Sequence, residues 1–118
     1  MMNMGYFSIV SVDHGCHRFQ LVGPSGQALM LGLVKNSLSE VLRAIADVRL
    51  NVGRPDRYER IEATDGSTLM LLHSTDGGPI GSIGPFGSNG DLSHALREIQ
   101  RVAPLAEIRL LSAETATI

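Results

Sequence analysis

The chain has no tryptophan, a single cysteine, and only two Tyr and three Phe among its 118 residues. Aliphatic side chains must therefore fill the core, and no internal disulfide can brace it. A chain of this length buries about two-thirds of the surface that its unfolded form exposes, so folding needs neither metal nor crosslink. No segment approaches the ~20 consecutive apolar residues that span a bilayer, and Met1 to Val12 lacks the basic start of a secretory leader. With Cys16 alone and unpaired, these absences predict a cytoplasmic protein without membrane association. Charge of one sign is also scarce: the formal net charge is −2, too small to attract nucleic acid or an anionic surface at long range.

What is present suits one globular domain over residues 1–118, with 43% apolar and 19% charged residues. Short β-rich runs broken by turn residues fill the first half: Tyr6 to Val12, His17 to Val22 and Gln27 to Val34. Ser37 and Glu40 then have the spacing of a helix-capping box. Leu38, Val41, Leu42, Ile45 and Val48 follow on one helical face. The second half repeats this plan at a constant offset of 51 residues: Phe7 maps to Tyr58, Gly15 to Gly66, Ser37 to Ser88, Glu40 to Asp91 and Val48 to Ile99. The expectation is an α+β fold of tandem β-β-β-α repeats, about 6–52 and 57–103, with antiparallel sheets and two packing helices.

One such unit is too small for a stable core of its own, so the two should share one. Gln27 to Val34 is apolar at both alternations, which predicts a strand buried on both faces and, by extension, a homodimer. Glu107 to Leu111 could add a short edge strand, and 112–118 reads as a flexible tail.

The paired units, the hairpin ending in Ser25-Gly26-Gln27 and the helical stretch Arg43-Ala44-Ile45-Ala46-Asp47-Val48-Arg49 resemble the YegP-like family of small uncharacterised prokaryotic proteins. The resemblance covers about residues 6–103. It implies a tandem β-β-β-α fold, often dimeric, with no established activity. The chain departs from that family where aromatic positions of the second strand reduce to Phe19 and Met70, and where Leu31-Gly32-Leu33-Val34-Lys35 replaces a polar stretch.

Three groups of residues invite a functional reading. His14, Cys16 and His17 place three zinc- or copper-compatible ligands around one hairpin turn, or a thiol beside an imidazole base. The alternative is an ordinary polar turn with a half-buried thiol, and a four-ligand structural site lacks its remaining members. Arg54, Arg57 and Arg60, near Tyr58, could contact phosphates and stack on a base, which would make the protein a nucleic-acid-binding accessory. Glycines at 78, 81, 84, 87 and 90 predict a weakened third strand in the second unit and a mobile loop before its helix. In that loop, exposed Ile83 and Phe86 would meet a partner, although Phe86 also suits the core. The composite expectation is a non-enzymatic interaction module, with no cofactor, that dimerises or docks on a protein partner as an inhibitor or accessory. The nucleic-acid role and the metal or thiol site stand as alternatives.

Overall fold

In the computed structural model, which describes residues 4–110, the chain order is β1 (Tyr6–Ser11), β2 (His17–Val22), β3 (Ala28–Gly32), α1 (Leu38–Asn51), β4 (Tyr58–Glu62), β5 (Thr68–His73), β6 (Pro79–Phe86), α2 (Asn89–Val102) and β7 (Glu107–Leu110). Three strands and a helix thus occur twice, and a last strand follows. The hairpin turns use glycine where the chain must reverse: Gly26 and Gly66 adopt φ of +90°, which only glycine takes without strain.

Each helix starts as its sequence dictates. The Ser37 hydroxyl accepts the Glu40 amide at 3.2 Å, and the Ser88 hydroxyl accepts the Asp91 amide at 3.1 Å. Each helix buries one face, Val41, Ala44, Ile45 and Val48 on α1 and Leu92, Ala95, Ile99 and Val102 on α2. Leu42, expected on the inner face of α1, is instead 41% exposed.

All seven strands form a single mixed sheet in the order β4-β5-β6-β3-β2-β1-β7, antiparallel as expected at every pairing but one. The departure is β7, which runs parallel to β1 because α2 returns the chain to that edge. The two units join at β3 and β6, where Leu31 pairs with Ser82. Those residues lie 51 positions apart, so each is paired with its own equivalent in the other unit. An antiparallel pair of equivalent residues defines a local two-fold axis, and strands spread outward from it in the same order on both sides.

Both helices contribute to one apolar cluster with Phe7, Ile9, Phe19, Leu21, Met30, Leu72 and Ile83. Phe7 and Phe19 meet edge to face, with centroids 5.7 Å apart. Glycine makes the central seam possible. A Cβ on Gly32 would sit 2.4 Å from the Phe19 ring, and one on Gly81 would sit 2.7 Å from the Met30 sulfur.

Two sequence expectations change here. The third strand of the first unit is not buried on both faces. Its register with β2 shifts between Leu21 and Val22, which turns both Leu29 and Met30 toward the core, while Leu31, in regular register with Gln20, alternates to the opposite face and is 39% exposed. The glycine-rich stretch is not a weakened strand before a mobile loop: Pro79–Phe86 is an eight-residue strand at the centre of the sheet. Small residues are needed there because the facing side chains approach so closely. Residues 112–118 lie outside the described part of the chain.

Candidate functional site

The structure scatters the residues of the first hairpin. His14 occupies the turn with φ of 47°, its ring 3.3 Å from the Asp13 carboxylate and open to solvent. His17 Nδ1 lies 3.4 Å from the Ser11 hydroxyl, while the Cys16 thiol points to the Asn36 side chain at 3.8 Å. Three side chains thus face three different neighbours. Among the described residues no group of three His, Cys, Asp or Glu side chains is arranged to hold a metal ion. His73 is committed elsewhere, with Nε2 at 2.8 Å from Glu59 and Nδ1 at 3.0 Å from the Gly77 carbonyl.

The three arginines are likewise separated in role. Arg54 precedes a short 3₁₀ turn, Pro55–Arg57, and is exposed. Arg57 is half-buried, with an Nε that finds no hydrogen-bond partner among the described residues. Arg60 is tied to the Glu62 carboxylate at 2.9 Å and to the Asn89 side chain at 2.8 Å. Tyr58, their aromatic neighbour, packs against the core and donates its hydroxyl to the Val52 carbonyl at 2.6 Å. Burial pushes its phenol up to about 12, against a weaker lowering from Gln100.

Ile83, expected on an exposed loop, is fully buried, because it faces Met70 on the helix side of the sheet. It therefore cannot meet a partner. Phe86 is half-buried and packs against the core.

Two features were not picked out from the sequence. The first is the sheet face turned away from the helices. Strand pairing carries one row of side chains across all seven strands: Glu59, Leu71, Ser82, Leu31, Gln20, Ser8 and Arg109. Ile61, 38% exposed, pairs with Leu69 beside this row. Among the described residues no helix covers these positions, since the buried residues of both helices belong to the cluster on the other side, although Ser8 is itself buried at 3%. The ends of the row carry opposite charge. Glu59 holds His73 at one end, and at the other the Arg109 guanidinium lies 4.0 Å from the Tyr6 ring centroid and donates to the Glu107 carboxylate at 2.6 Å.

The second feature is a pair of clefts on the helix side, each between one helix and the third strand of the other unit. One, of about 370 Å³, is lined by Leu29, Phe86, Asp91, His94, Ala95 and Glu98 among others. Its counterpart, of about 220 Å³, is lined by Ile80, Lys35, Glu40, Arg43, Ala44 and Asp47. Every one of the second six residues is the equivalent of one of the first six. The constant offset already aligned Phe86 with Lys35 and His94 with Arg43, but only the folded sheet shows that both pairs line clefts.

No protein-family model matches the chain, and no curated protein matches it. Two solved structures do. The Escherichia coli protein yegP, a protein of unknown function, superposes with a TM-score of 0.87 at 19% identity, covering 95% of this chain and 97% of its own. A UPF0339 protein from Shewanella oneidensis gives a TM-score of 0.86 at 16% identity, covering 92% of each chain. Among the described residues no helix is long and apolar enough to cross a membrane. Likeness at these identities speaks for architecture alone, and on that ground the chain has the YegP-like fold, an α+β arrangement of one seven-stranded mixed sheet and two helices.

Proposed function

We propose that the protein is a non-enzymatic interaction module that pairs with a second copy of itself through the uncovered face of its sheet. The reading is supported by one observation: the row from Glu59 to Arg109 carries Leu31, 39% exposed, at its midpoint between Ser82 and Gln20, with a carboxylate at one end and a guanidinium at the other. A two-fold axis along the strand direction, passing near Leu31 and Ser82, would set each copy's Glu59 against the other's Arg109. It would also stack Leu31 on its own counterpart and set Leu71 against the other copy's Ser8.

The edges of the sheet suit this role less well. The free β4 edge carries Glu59, Arg60 and Glu62, and charge on an edge strand opposes strand addition.

The size of the face sets the strength. Seven strands spaced ~4.8 Å apart and about five residues long give a face of about 30 by 17 Å, or about 500 Å² before side-chain relief. A stable interface buries about 800 Å² per partner, so the dimer should be weak and dependent on concentration.

Light scattering across a concentration series tests this. The expected result is a shift from monomer to dimer in the wild type and a monomer throughout for Leu31→Lys, whose exposed position tolerates the charge. Glu59→Arg and Arg109→Glu should each weaken pairing and should restore it when combined. A wild type that stays monomeric at the highest concentration refutes the proposal.

A further inference from the structure

The two helix-side clefts are built from equivalent positions but differ in what they offer a ligand. In both, an apolar floor from the opposite unit, Leu29 or Ile80, meets an alanine of the helix, Ala95 or Ala44. In both, two carboxylates one helical heptad apart stand on the wall, Asp91 with Glu98 and Glu40 with Asp47. The α1 cleft is also lined by Lys35 and Arg43, an ammonium and a guanidinium on aliphatic stems. The α2 cleft has no lining cation of this kind. Phe86 stands where Lys35 stands and His94 where Arg43 stands, and the cleft is correspondingly larger.

Its carboxylates are unequally occupied. Glu98 accepts two hydrogen bonds from Arg101, at 2.8 and 3.2 Å, which hold its carboxyl below the usual range. Asp91 forms no ion pair among the described residues, although its backbone amide is capped by Ser88. Phe86 adds a ring beside this carboxylate, held against the core so that it needs little ordering on binding.

We infer that the α2 cleft binds an ammonium or guanidinium group carried on a short aliphatic chain, the chemistry that its twin supplies from Lys35 and Arg43. The chain lies along Leu29 and Ala95, and the cation reaches Asp91 beside the Phe86 ring. The group can come from a free alkylamine or from a lysine or arginine side chain of another protein, since both present the same stem and head. This site is on the helix side of the sheet, so it can be occupied whether or not the uncovered face pairs.

The test uses the full chain and nuclear magnetic resonance titration with n-hexylammonium, agmatine, hexanoate and a Gly-Lys-Gly peptide blocked at both ends. The expected result is saturable shifts at Leu29, Ala95 and Phe86 with the cationic probes and none with hexanoate. Tighter binding of the free amines assigns the site to a small molecule, and tighter binding of the peptide assigns it to a side chain.

Asp91→Asn should weaken n-hexylammonium about two- to fivefold, the range for a solvent-exposed charge contact. The double variant Phe86→Lys with His94→Arg gives the cleft the residues of its twin and should abolish binding. A thermal melt confirms that this variant is folded. The reciprocal pair, Lys35→Phe with Arg43→His, should create a second site and shift residues around Ile80 and Ala44. Equal binding of hexanoate, shifts centred on the α1 cleft of the wild type, or no shift at millimolar probe overturns the inference. Light scattering on the same samples reads dimerisation separately, so loss of one behaviour is distinguishable from loss of the other.

Discussion

Adding a single methyl at Gly32 tests the seam between the two units more sharply than any surface change. An alanine there would place its Cβ 2.4 Å from two atoms of the Phe19 ring and 2.9 Å from a third. Phe19 is 1% exposed and locked edge-on against Phe7, so the ring has no room to retreat. Overpacking a filled core costs about 1–3 kcal/mol. Replacing a glycine by alanine at an ordinary backbone geometry recovers about 0.4–1 kcal/mol by restricting the unfolded chain, which, with the trapped ring placing the cost at the top of the overpacking range, leaves a net loss of about 2 kcal/mol.

Gly81, directly across the seam, is a built-in control because its Cβ would meet the Met30 sulfur at 2.7 Å. A thioether turns aside more readily than a buried ring, so Gly81→Ala should cost about 1 kcal/mol or less. Urea unfolding read by circular dichroism, with thermal melts alongside, measures both. At about 4 °C per kcal/mol for a chain of this length, Gly32→Ala should melt about 8 °C below the wild type. If Gly81→Ala proves as costly as Gly32→Ala, or Gly32→Ala is neutral, the packing argument for this seam is wrong.

Two further outcomes follow from side chains already described. Ile83→Ala should destabilise the fold by about 2–5 kcal/mol, as a fully buried aliphatic truncation does, and chemical denaturation would show it. A cost near zero would return Ile83 to the surface. Tyr58 holds its proton more tightly when folded, up to about 12 from an ordinary 10.0. The unfolded chain therefore loses this proton first as pH rises, so the contribution is complete below pH 10 and is lost as pH climbs through about 12. Tyr58→Phe should flatten the alkaline decline over that window, although it also forfeits the bond to the Val52 carbonyl. An unchanged alkaline profile refutes the assignment.

Much of the architecture was legible without coordinates because it depends on near neighbours in the chain. Ser37 and Ser88 announce helix starts through a hydroxyl that can reach an amide three residues on, and the structure shows both bonds. The inner faces of the helices follow from spacing along one element, with Leu42 as the exception. The offset that aligned the two units also aligned the clefts, but nothing local says that a residue of the third strand faces the helix of the other unit.

The misreadings share one cause. Periodicity shows which residues share a face, but not which faces another element covers. Leu31 and Ile83 are both apolar strand residues, yet one is 39% exposed and the other fully buried. Leu31 alternates to the face opposite the buried Met30, and the position of β6 beneath the helices decides the second. Glycine at 81 reads as weakness along the chain and serves as clearance across it, since the side chain it makes room for, Met30, belongs to the other unit. By itself, then, the sequence determined the two strand-strand-strand-helix units, their turns and their caps, because each rests on contacts a few residues apart. Only the tertiary structure decided how the units join, which sheet face stays uncovered and where the twin clefts open, because those depend on pairing between residues half the chain apart.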